Sequence, residues 1–93
     1  TEVEEVLYAS ALVVEAAAVG IPHPTLGQGI LAVVTAGAGF DPDPLLAHCK
    51  RELPGFMVPL AVEQVDALPR NPNGKVDRKH LAQAYESAFR ENR

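Results

Sequence analysis

The fold class that the sequence predicts is α+β: helices packed on a small sheet of about three strands, in the order α-β-β-α-β-α. Three observations carry it. Apolar residues recur at helical spacing near the start, middle and end of the chain. Between those stretches lie two strongly apolar runs with β-branched residues, and a third short one. Segments rich in Gly, Pro, Asn and Asp separate the later elements.

The first helix is expected from about Glu2 to Ser10. Thr1 and Glu4 have the spacing of a capping box, Val3, Val6, Leu7 and Ser10/Ala11 trace one face, and Glu2, Glu4 and Glu5 fall on the other. Val13 to Ile21 reads as a strand. Its three alanines make helix the competing assignment, but the bracket of Gly20 and Pro22 favours a strand stopped by that proline. His23 to Gly27 forms a turn, and Gly29 to Thr35 (GILAVVT) is a second strand, apolar enough to be buried on both faces. Gly37-Ala38-Gly39 opens a loop. Asp43 then caps a helix over Pro44–Leu53, which buries Leu45, Leu46, Cys49 and Leu53. Pro54-Gly55 ends that helix, and Ala61–Val65 is a short third strand. Residues 66–77 form a punctuated loop, and Asp77 caps a last helix carrying Leu81, Tyr85, Ala88 and Phe89. The tail, Glu91-Asn92-Arg93, is expected to fray.

Length and composition set the outer limits. Ninety-three residues, 47% hydrophobic but only 5% aromatic, suffice for one domain with a single modest aliphatic core. No apolar run approaches the roughly 20 residues needed to span a bilayer, since the longest is broken by Glu15. A net charge of −4 argues against binding nucleic acid. One cysteine, Cys49, allows no internal disulfide and no thiol pair for a metal; with no basic leader at the N-terminus, a cytoplasmic setting is expected. His23 and His48 lack metal-ligand spacing, so no metal site is predicted. A chain that opens on a helix cap, without Met, is expected to be a piece cut at a domain boundary.

Against this acidic background one stretch stands out. RNPNGKVDRKHL, residues 70–81, holds four of the eight Lys/Arg residues: Arg70, Lys75, Arg78 and Lys79. A phosphate loop is excluded, because the glycine-rich pattern before the lysine is missing and Val76 follows it. Nucleic-acid binding lacks a stacking aromatic nearby. Two readings stay open: ordinary solvated charge on a tight turn, or a stiffened loop that presents Lys75 to a site on another surface. In the second, Pro69 and Pro72 stiffen the approach, Asn73-Gly74 reverses the chain and Asp77 anchors the exit. No base, nucleophile or metal set accompanies the lysine. The domain would therefore supply one cation and need a partner for everything else.

Three segments bear on that partner. Leu68-Pro69-Arg70-Asn71-Pro72-Asn73-Gly74-Lys75-Val76-Asp77-Arg78 resembles the final motif of the AMP-forming acyl-CoA synthetases and adenylation domains. Leu53-Pro54-Gly55-Phe56-Met57-Val58-Pro59 resembles their "L-P-x-Y/F-M-V-P" segment, and Thr1-Glu2-Val3-Glu4 the end of their hinge motif. The resemblance implies that residues 1–93 are the mobile C-terminal cap of such a ligase, with a large N-terminal domain as partner. It implies Lys75 as the adenylation lysine and Gly74 as the former of its loop. ATP with Mg²⁺, a carboxylic acid and CoA would be the reactants of the complete enzyme, and none would bind the cap tightly by itself. Arg70, Arg78 and Lys79 are candidates to meet phosphates of a thiol carrier or acidic patches on the large domain, and Gly27 for the backbone approach to pantetheine. Gln28 departs from the acidic residue that many relatives carry there. Two alternatives remain: a peptide-synthetase adenylation domain that acylates carrier-protein pantetheine, and a non-catalytic interaction module with a basic loop.

Overall fold

The computed structural model describes residues 1–90. Helix α1 (Glu2–Ala9) leads into the hairpin of β1 (Glu15–His23) and β2 (Gly27–Thr35). Helix α2 (Pro42–Glu52), a 3-10 turn over Gly55–Met57 and strand β3 (Ala61–Gln64) follow, and α3 (Arg78–Ala84) comes last. The observed order is the α-β-β-α-β-α predicted. In the sheet, β2 is central, antiparallel to β1 and parallel to β3. The parallel pairing follows from the α2 crossover, which returns the chain to the same end of the sheet before β3 starts.

Strand β2 is buried on both faces because it is flanked on both edges and covered above and below. Its side chains alternate between two clusters. Ala32 and Val34 join Val3, Leu7, Ala16, Leu45, Cys49 and Leu53, beneath α1 and α2. Leu31 and Val33 join Ala17, Val19, Ile21, Leu68 and Leu81, beneath α3 and the segment that precedes it. The single core expected from composition is thus two thin half-cores divided by the sheet.

Several boundaries differ from the expectation, each for a physical reason. Pro22 does not stop the first strand, which continues to His23. Strand β1 lies at the sheet edge, and Pro22 shares the parity of Ala16 and Ala18, whose N–H groups face away from β2 toward α1. A missing N–H there costs no ladder bond. The same strand starts at Glu15 rather than Val13, because Ala11 adopts a left-handed conformation (φ 62°) as the chain leaves α1. Helix α2 is capped by Asp41, not Asp43: the Asp41 carboxylate accepts the Asp43 N–H at 3.0 Å, and Pro42 takes the first helical position. Pro44 is accommodated in the first turn, where N–H groups have no helical partner. Helix α3 ends at Ala84, so Tyr85 and Phe89 reach the core from successive turns beyond it, and Leu81 alone of the predicted stripe lies within it. The expectation for residues 91–93 falls outside the described residues.

Helix α1 also covers part of the outer edge of β1. The Tyr8 hydroxyl accepts the Ala16 N–H at 3.0 Å, and the Glu4 carboxylate accepts the Ala18 N–H at 2.9 Å. These side chains stand where a fourth strand would otherwise pair. Glu4, expected on the face opposite the apolar stripe, is only 6% exposed.

Candidate functional site

Residues 70–76 form a miniature hairpin that projects from the fold. An isolated antiparallel bridge between Arg70 and Val76 closes its base. Within it the Asn71 N–H donates to the Lys75 carbonyl at 2.8 Å, and the Gly74 N–H donates to the Asn71 carbonyl at 2.9 Å. The Asn71 side-chain oxygen accepts from both the Asn73 and Lys75 N–H groups, at 2.9 and 3.1 Å. Pro72 sits at the second position of this turn, where its fixed φ is already suited. Gly74 follows with φ 82°, a left-handed conformation that costs glycine little. The chain is thereby reversed immediately before Lys75.

The exit is held as firmly. The Asp77 N–H donates to the Pro69 carbonyl at 2.8 Å, tying the two strands of the loop together. The Asp77 carboxylate caps α3 by accepting the His80 N–H at 3.0 Å, the role the sequence predicts for it. Lys75 is exposed, and among the described residues no carboxylate lies within ion-pairing reach of its ammonium.

Arg70 and Arg78, two of the candidates for phosphate contact, are both engaged within the domain. The Arg70 guanidinium donates to the Gly74 carbonyl at 3.3 Å and pairs with Glu15 at the start of β1. The Arg78 guanidinium forks onto both oxygens of Glu4, with Nε donating at 2.7 Å. Burial alone would push the Glu4 carboxyl up. The Arg78 hydrogen bonds, the Ala18 N–H and the nearby positive charges outweigh it and hold the group below the ordinary value of 4.5. Lys79, like Lys75, is exposed and has no carboxylate partner among the described residues.

Gly27 lies elsewhere. It opens β2 with φ 83° at the tip of the β1–β2 hairpin, paired with His23. The His23 Nδ1 accepts the N–H groups of Thr25 and Leu26 at 3.1 and 3.0 Å, which tightens that tip. Glu15, which holds Arg70, is at the opposite end of β1. The nine residues of β1 place its two ends roughly 27 Å apart at the usual rise. The structure therefore brings Lys75, Gly74, Arg70 and Arg78 together and leaves Gly27 remote from them.

The remaining side chains divide between interior and surface. Cys49 is fully buried, and burial pushes its thiol up. His48 reaches the Val6 carbonyl at 3.1 Å, joining α2 to α1. Met57 packs against the half-core under α1 and α2, whereas Phe56 is 83% exposed. With Leu26 and Leu60, also exposed, Phe56 lines a shallow cleft near the Gly27 hairpin. Among the described residues no three or more His, Cys, Asp or Glu side chains form a group that could hold a metal ion. No described helix is long and apolar enough to cross a membrane.

The family model for the AMP-binding enzyme C-terminal domain matches residues 2–75. This chain belongs to that family. The C-terminal domain is 41% identical over 81 residues to a long-chain-fatty-acid–CoA ligase of Yersinia pestis, covering 86% of this chain and 14% of that protein. It is 42% identical over 80 residues to tyrocidine synthase 2 of Brevibacillus parabrevis, covering 86% of this chain and 2% of that protein. The crystal structures of apo and ATP-bound MatB from Rhodopseudomonas palustris superpose on the domain with TM-scores of 0.90 and 0.89. Both share 36% identity over 96% of this chain and 18% of the MatB chain. The domain thus spans less than a fifth of the ligases it matches, and in such proteins a large N-terminal portion accompanies it.

Proposed function

We propose that this chain is the C-terminal cap of an AMP-forming acyl-CoA ligase, and that Lys75 is its adenylation lysine. The observation that carries the reading is the setting of Lys75. It stands on a cross-braced hairpin, exposed, while both neighbouring arginines are occupied by the domain's own carboxylates. That is the arrangement expected of a cation delivered to a site built elsewhere.

In the complete ligase the substrate carboxylate would attack the α-phosphorus of ATP, and pyrophosphate would leave. Lys75 would sit between the incoming carboxylate and the α-phosphate oxygens, drawing two anions together as charge builds on the phosphoryl group. Its contribution is positional and electrostatic, with no proton transferred. At about 4 Å and an effective dielectric of about 20, one such contact is worth about 4 kcal/mol. Roughly 2.7 kcal/mol of that, if specific to the transition state, corresponds to about 10²-fold in rate. Mg²⁺ would accompany ATP and be held mainly by the nucleotide and the large domain.

Thioester formation would use the other end of the sheet. With Lys75 and Gly27 at opposite ends of β1, a rigid-body rotation of the cap would withdraw the lysine and bring the Gly27 hairpin toward the arriving thiol. Exposed Phe56, Leu26 and Leu60 beside that hairpin support docking of this end against the large domain. CoA is the acceptor we favour. The 42% identity to tyrocidine synthase 2 supports a carrier-protein acceptor as the second reading, and offering acyl-adenylate to the ligase with CoA or with a holo-carrier domain separates the two.

Lys75→Ala in the full-length ligase tests the assignment. Adenylate formation is expected to fall by about 10²-fold, while thioester formation from supplied acyl-adenylate continues. Undiminished adenylation would return Lys75 to the ordinary solvated lysines, and equal loss of both steps would indicate a misdocked cap instead.

A further inference from the structure

We propose that Arg70 and Glu15 are positioning residues for Lys75, acting as one clamp on its hairpin rather than as ligands for a phosphate. The inference rests on the reading of Lys75 given above. Arg70 occupies the base of the hairpin, opposite Val76. Its guanidinium reaches along the loop to the carbonyl of Gly74, the residue before the lysine, and its other terminal nitrogen pairs with Glu15. One planar fork therefore joins three points: the loop base, the loop tip and the first residue of β1.

The choice of an arginine fits this task. A lysine there could offer a point charge, but it could not hold a carbonyl and a carboxylate with separate, fixed donors. Both partners are partly exposed, so the pair adds little to global stability, and its effect falls on the order of the loop. At the exit, the Arg78–Glu4 pair fixes the start of α3 in the same manner. Among the described residues these two are the only ion pairs between side chains, and they bracket Lys75. The clamp also has an electrostatic side. With Glu15 facing Arg70, the loop presents Lys75 as its unpaired cation instead of a diffuse basic patch.

Glu15→Gln separates a clamp from a ligand, because it breaks the pair yet leaves Arg70 charged and free. In the 93-residue chain, hydrogen exchange at the bonded amides of Asn71 and Gly74 should speed up by about fivefold or more. In the full-length ligase, Glu15→Gln and Arg70→Gln should each slow adenylation by about tenfold, with the KM for ATP unchanged and thioester formation retained. The double variant should be no worse than either single one, since both remove the same contact. Arg70→Lys should also slow adenylation, because it keeps the charge and loses the fork.

Unaltered loop exchange in Glu15→Gln would overturn the clamp. So would a lower KM for ATP in that variant, which would mean that the freed Arg70 binds phosphate. If Lys75→Ala leaves adenylation intact, the Lys75 reading fails separately, and the exchange measurement still decides whether the clamp exists.

Discussion

Glu4 shows how much one residue can be asked to do. Its carboxylate accepts a backbone N–H from the edge of the sheet and both arms of Arg78, and it is almost fully buried. Glu4→Gln would leave that guanidinium facing a neutral amide and is expected to cost about 1.5–3 kcal/mol near neutral pH. The pH dependence follows from the direction of the shift. A carboxyl held below 4.5 in the folded state adds stability above that value and loses it as pH falls through the lower folded value. The gap between wild type and Glu4→Gln should therefore narrow as pH falls below 4.5, as urea unfolding at neutral and at progressively lower pH would show. A gap of constant size would mean that Glu4 matters through packing alone. The sequence offered one clue to this role: Glu4 is adjacent to the stripe of Val3 and Leu7, within reach of the buried side. Its partner lies 74 residues away, and no local pattern announces such a pair. The same distance problem hid Glu15 from Arg70, 55 residues on, so both arginines read as available for phosphate.

Among the elements, those bounded by strong local chemistry were the most legible. Asp77 caps α3, and the Asn-Pro-Asn-Gly turn reverses the chain before Lys75, as their side-chain chemistry dictates. Where two local signals compete, tertiary context decides. The repeat Asp41-Pro42-Asp43-Pro44 offers two caps two residues apart, and α2 takes the earlier, gaining helix length. Pro22 breaks a central strand but not an edge strand, and sequence alone does not say which strand is the edge. The cap at Asp77 yields its own prediction. Asp77→Ala should cost about 1 kcal/mol and slow adenylation by loosening the loop exit, whereas Asp77→Asn should preserve both stability and activity. Loss of activity in the asparagine variant, with stability kept, would make Asp77 a chemical participant rather than a cap.

At the scale of the whole molecule, the domain holds an exposed lysine on a braced loop and, elsewhere, a hairpin bordered by apolar side chains. Lys75 stands exposed on its loop rather than inside a pocket. The chain by itself is accordingly expected to give no carboxylate-dependent exchange of pyrophosphate into ATP, and measurable exchange by the pure chain would contradict the division of labour proposed above. The way α1 covers the outer edge of β1 has a bearing beyond catalysis. Strand β1 would offer its outward donors to any neighbouring chain were it not for Tyr8 and Glu4. One of those two stoppers is a carboxylate. Only in acid below the ordinary carboxyl range, where Glu4 takes up its proton, should its hold on the Ala18 N–H weaken and this stretch of the sheet border become more adhesive to a neighbouring strand.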